Sequence, residues 1–170
     1  MIKDIIKYFL KRDNTWVIAL LAICNLTFAL IFNNSFAYII TALLIFTIFD
    51  VNGYYYLAYR LIFHTESKYI IATYRFIQVI FQEILCLFIF EAVGIIPVLI
   101  FLLCWWLGYC DFAYYIVLND NIQVYEDMFW LRWTPYGIVL TLLNKPINYK
   151  WLIAGFIAAN ITLILYAIYE

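Results

Sequence analysis

The sequence predicts an all-α, polytopic transmembrane helix bundle, and three observations carry the prediction. Hydrophobic residues make up 68% of the chain and charged residues 12%, against about half and about a quarter in soluble domains. The mean hydropathy is +0.95. The apolar residues also fall into runs close to the ~20 that cross a bilayer as a helix. A chain of 170 residues has room for about five or six such spans, leaving no separate soluble domain. One integral membrane domain, 1–170, is expected.

The first span, 16–32, reads "WVIALLAICNLTFALIF" behind a basic N-terminus. It is too long for an ordinary signal core and ends in "NNSFAY" without a small-x-small site, so an uncleaved span is expected. After the "NNS" turn, 36–63 is a longer apolar stretch interrupted by "DVNG" at 50–53, which implies a tilted or locally broken helix. The third span is 69–90. A turn at "EAVG" leads into the fourth, 95–118, with Pro97 near its first turn, where proline is tolerated. The last span is 151–169. Between them, 128–144 contains Arg132 and Pro135, leaving about nine uninterrupted residues, too few to cross alone.

Short cytoplasmic loops hold an excess of Lys and Arg, and this rule favours a non-crossing 128–144. With five spans, every basic residue, from Lys3 to Lys150, lies on the cytoplasmic side or in the cytoplasmic half of a helix. A sixth crossing would strand Lys145 and Lys150 outside. The expectation is five spans with one short re-entrant or interfacial helix, six being the alternative, and a cytoplasmic N-terminus in both. The location is the cytoplasmic membrane. No pair of matching broken helices marks an inverted repeat.

Polar residues interrupt the spans where they are costly. In the third, Arg75, Gln78 and Gln82 recur at i, i+3 and i+7, one stripe of a helix, with Glu83 about 80° round from Arg75. All four are expected to face one interior. The fourth span runs the other way, so Asp111 falls about 10 Å from the cytoplasmic end and Arg75 about 9 Å from it, at matching depth. Gly108, Asp111, Tyr114 and Tyr115 share a face, and Gly108 leaves room for a neighbouring helix. The second span adds Asp50 and Asn52, with Arg60 and His64 toward the cytoplasm; the first adds Asn25. Ionised groups at mid-bilayer cost about 2.5–3.5 kcal/mol each and normally turn inward. The expected outcome is a polar cavity open to the cytoplasm, lined by Asp50, Asn52, Arg60, Arg75, Gln78, Gln82, Glu83, Asp111 and Tyr115. The competing reading makes Arg75 with Asp111 or Glu83, and Asp50 with Asn52 or a tyrosine, ties between helices.

The segment 119–135 is the most polar internal stretch. Asp120, Glu126 and Asp127 are hard oxygen ligands of the kind that suits Mg or Ca, although an acidic loop is more often a solvated cap. Trp130, Arg132 and Trp133 fit a headgroup-level anchor. Cys24, Cys86, Cys104 and Cys110 lie in apolar runs without metal-finger spacing and read as small buried hydrophobes.

A net charge of -1 gives no basic face for nucleic acid. A lone histidine, His64, excludes multi-histidine metal chemistry, and no H-E-x-x-H, phosphate loop, aspartate-rich prenyl-transfer motif or intramembrane Ser/His pair is present. No motif decides between catalysis and binding. The leading expectation is a protein whose cytoplasm-facing pocket binds and transports a small anionic or lipid-like substrate. Arg75 and Arg60 would hold its negative group, Asp111 and Glu83 would govern protonation, and 119–133 would cover it. The alternatives are a lipid-headgroup enzyme, with a divalent metal on the loop acids as its cofactor, and a non-catalytic interaction subunit. The bilayer is the expected partner, together with further copies of the chain or another membrane subunit.

Overall fold

The computed structural model describes residues 14–53, 68–118 and 134–170, without the side chains of 68–73 and 118. Among these residues the chain is all helical, with no strands. The helices are α1 (Thr15–Phe32), α2 (Ser35–Asp50), α3 (Lys68–Val93), α4 (Ile95–Trp106), α5 (Tyr109–Leu118), α6 (Pro135–Leu142) and α7 (Tyr149–Tyr169). Four helices, or five crossings if the bent pair α4–α5 counts as one, are long and apolar enough to cross a membrane. Their outer surface is covered by exposed Leu, Ile and Phe, which water would not support on this scale. The bundle is therefore compatible with an integral membrane protein.

Polar residues punctuate the apolar runs. Asn33 takes the left-handed conformation (φ 47°) that ends α1, and the Asn34 side chain accepts from Ala37 N at 2.8 Å to start α2. Gly94, at φ 90°, separates α3 from α4. Thr134 caps α6 by accepting from Gly137 N at 3.1 Å, with Pro135 following at the first helical position. Asn148 accepts from Lys150 N and Trp151 N to start α7.

Two helices depart from regular winding. At the "DVNG" sequence α2 passes into a π-type turn over 51–53; the remainder of the expected second span, 54–63, lies outside the described residues. The fourth span, expected as one helix, is two half-helices that meet at 63°. Gly108 makes the break at φ 79°, and a Cβ there would lie 3.0 Å from the Tyr136 ring and 3.1 Å from Leu152. The close approach expected of Gly108 and the break thus have one cause. α6 has eight residues, about 12 Å of helix, well short of a ~30 Å hydrocarbon core.

α2 is the central helix. It packs against α1, α3, α4 and α5 and more lightly against α7; 56% of its span is buried, against 17% for the peripheral α1. Ile39, Leu43 and Phe46 of α2 meet Ile89 of α3 and Phe101 of α4 in the main core. The Phe46 ring lies edge-on to Trp105 at 5.7 Å. Since lipid is as apolar as this core, such packing gains dispersion and fit rather than escape from water.

Contacts between distant segments fix how the ends are arranged. Asn14 N donates to Val117 O at 3.2 Å, placing the start of α1 beside the end of α5. At the opposite end of α1 and α2, the Glu170 carboxylate accepts from Ser35 N at 2.9 Å, from Phe36 N at 3.1 Å and from the Ser35 hydroxyl. The end of α7 is thereby held at the start of α2.

Candidate functional site

Asp111 lies in an apolar run, yet the break at Gly108 makes it a first-turn residue of α5. There the unpaired N–H groups and the helix dipole favour a carboxylate. Asp111 is half-buried, and the Thr134 hydroxyl that caps α6 also hydrogen-bonds to it. The same glycine that bends the span therefore makes the acid tolerable and brings α6 to it.

Asp50 ends α2 immediately before the π-type turn and is 6% exposed. Two donors from α3 satisfy its carboxylate. Tyr74 donates its hydroxyl to Asp50 Oδ1 at 2.8 Å, and Gln78 donates through Nε2 to the same oxygen. Gln78 Oε1 in turn accepts from Arg75 Nη1. The Arg75–Gln78–Asp50–Tyr74 chain ties α3 to α2. Gly53 makes room for it, because a Cβ there would lie 2.9 Å from Tyr74 Cε2.

Arg75 is half-buried between the two carboxylates, and its charge reaches both Asp50 and Asp111. Among the described residues it forms no contact ion pair with either; its hydrogen bond goes to the neutral Gln78, and its Nε is buried without a partner. Asn52, on the π-type turn, has a buried Oδ1 that is likewise unpartnered. The structure thus brings together Asp50, Asn52, Arg75, Gln78 and Asp111 where α2, α3 and α5 meet. Gln82 is buried on the same side of α3.

Three sequence expectations differ from this arrangement. Glu83 is exposed on the outside of α3: turning Gln78 and Gln82 inward carries the residue after Gln82 a further 100° round. Tyr115 packs with Tyr136, Leu140 and Leu152 in a separate apolar cluster on the α6 and α7 side of α5. Of the cysteines, Cys86, Cys104 and Cys110 are buried but Cys24 is exposed, because α1 is peripheral; all four are free. Arg60 and the proposed metal ligands Asp120, Glu126 and Asp127 lie outside the described residues. Among the described residues no group of three or more His, Cys, Asp or Glu is arranged to hold a metal ion.

Sequence reasoning did not single out Tyr74 and Thr134. Tyr74 has a legible signal, since it stands four residues before Gln78 and so shares its face. No protein family model, curated protein or solved structure matches the chain.

Proposed function

We propose that this chain is a five-span protein of the cytoplasmic membrane, with its N-terminus inside, whose cytoplasm-facing cleft between α2, α3 and α5 binds and transports a small anionic or lipid-like substrate. One observation carries the reading. Asp111 sits at the Gly108 break of its span and Asp50 beside the π-type turn of its own, with a half-buried Arg75 between them that makes no contact ion pair among the described residues. Interrupted helices facing one another across a polar centre are how membrane transporters present ionisable groups to substrates and coupling ions. π-type turns recur at functional sites. In this reading Arg75 holds the anionic group, Asp111 responds through its tie to Thr134, and α6 is a half-helix covering the cleft without crossing.

The end-to-end contacts support the span count. Glu170 is hydrogen-bonded at Ser35 and Asn14 at Val117, which supports a reading in which α5 ends, and α7 begins, at the same face of the bundle. In the proposed topology the segment joining them makes no net crossing.

The test uses the full chain in detergent and in proteoliposomes. Inorganic phosphate, short dicarboxylates and glycerol phosphate are screened for a rise in melting temperature, and those that bind are tested for uptake. The expected result is stabilisation by at least one of these anions that Arg75→Gln abolishes, and uptake that Asp111→Asn abolishes while binding persists. If Arg75→Gln binds every stabilising anion as well as the wild type does, the assignment of Arg75 fails.

A further inference from the structure

The outer face of α3 carries an acid in the middle of an apolar seam. Phe76, Ile80, Leu87 and Phe90 are all exposed, and with the exposed Glu83 they recur at four- and three-residue spacings, the pattern that aligns one helix against another. Glu83 lies ten residues before Val93 on a 26-residue helix, about 15 Å from that end. Facing hydrocarbon there is costly, and intramembrane acids normally face a polar partner. No described residue of the same chain hydrogen-bonds or ion-pairs with it. Arg75 is two turns away and engaged with Gln78, and Lys145 and Lys150 stand at helix ends.

A second copy offers amides at this level. Asn160, in the middle of α7, gives one Nδ2–H to Phe156 O at 2.8 Å and has a second one to give. It is flanked by exposed Ile157, Ile161 and Ile164. Glu170, held at Ser35, fixes the end of α7 beside the α1–α2 turn, so Asn160 lies about 15 Å below that turn. Val93 packs with Ala29, Ala37 and Tyr38 next to the same turn, which puts Glu83 and Asn160 at one depth to within about a helical turn.

We propose that copies of this chain associate head to tail in the membrane, the α3 seam of one against the α7 seam of the next, with Asn160 Nδ2 donating to the Glu83 carboxylate. The α3 and α7 seams are different surfaces, so joined head to tail they make a heterologous contact that repeats from copy to copy, whereas a reciprocal two-fold pairing of the same residues would stop at a dimer. It depends on the helices spanning a membrane and not on the Arg75 cleft, so the two proposals fail separately.

The experiment places the full chain, in a Cys24→Ser background, in phosphatidylcholine vesicles. Oxidation of Glu83→Cys combined with Asn160→Cys is expected to give a ladder of cross-linked copies, and neither single variant a ladder. A cross-linked dimer from Glu83→Cys alone, a double variant whose cross-linking stops at the dimer, or no cross-link in the double variant overturns the proposal. Energy transfer between labelled copies at varied dilution gives an independent reading. Glu83→Leu and Asn160→Ala are expected to weaken association about threefold or more, while Glu83→Gln, whose amide oxygen accepts the same N–H, retains it. Equal association of wild type and Glu83→Leu overturns the polar contact, and loss on Asn25→Ala in place of Asn160→Ala overturns the assignment to α7.

Discussion

Asp111 and Asp50 meet the same cost in different ways. Asp111 gains the start of a helix through Gly108 and a hydroxyl from Thr134, a position that favours an acid by about 0.3–1 kcal/mol and by up to ~2 when partly buried. Asp50, beside the π-type turn, relies on Tyr74 and Gln78. That reliance is testable at Gly53, where an added methyl would lie 2.9 Å from the Tyr74 ring. Gly53→Ala is expected to push the ring away and lose the 2.8 Å bond, lowering stability by about 1 kcal/mol, read as a lower melting temperature in detergent. Tyr74→Phe removes the same bond, so adding Gly53→Ala to it should cost clearly less than in the wild type. Additive losses would refute the coupling. The pairing of Arg75, Gln78 and Asp50 was half legible: the i, i+3 stripe placed the α3 residues on one face, and depth placed Arg75 level with a carboxylate. The break at Gly108, which makes Asp111 a first-turn residue, is absent from the hydropathy. The residues that pack against Gly108, Tyr136 and Leu152, are distant in sequence.

At the scale of the helices, the existence of each apolar element was legible in its run length, and several boundaries in their polar caps: Asn34, Gly94, Thr134 with Pro135, and Asn148. How each helix is rotated was less so. Phe76, Ile77, Val79 and Ile80 on the outside of α3 are as apolar as the core, since lipid and bundle interior make the same demand; Glu83 could not be assigned a side by composition. Glu170 was not legible, because its partner, the start of α2, lies 135 residues away in sequence. Its carboxylate serves two orphan N–H groups of α2 at 2.9 and 3.1 Å and meets the positive end of the helix dipole. Glu170→Ala is expected to lower stability by about 1 kcal/mol, in the range of other helix N-terminal contacts. Glu170→Gln, which retains an acceptor but no charge, should lose less. Thermal unfolding of the two variants in detergent orders them, and wild-type stability in Glu170→Ala would show that the contact to α2 does not contribute.

At the scale of the molecule, the two end contacts become a statement about topology. The hydrogen bond of Glu170 to Ser35 supports the proposed five crossings, since under the six-crossing alternative the two would stand at opposite faces, about 30 Å apart. α6, at eight residues, is also too short to make that crossing unaided. The proposed five crossings therefore sort exposed positions into two sets: Phe32 and Ile95 at one face, Asn14 and Lys145 at the other. In a Cys24→Ser background, cysteines placed singly at these positions are treated on intact cells with a membrane-impermeant maleimide. Phe32→Cys and Ile95→Cys are expected to label from outside, and Asn14→Cys and Lys145→Cys only after permeabilisation. Labelling of Lys145→Cys together with Phe32→Cys would mean six crossings and would contradict the Glu170 contact. If all four positions exchange sides, the five crossings stand but the N-terminus is outside, and the cleft at Arg75 then opens away from the cytoplasm.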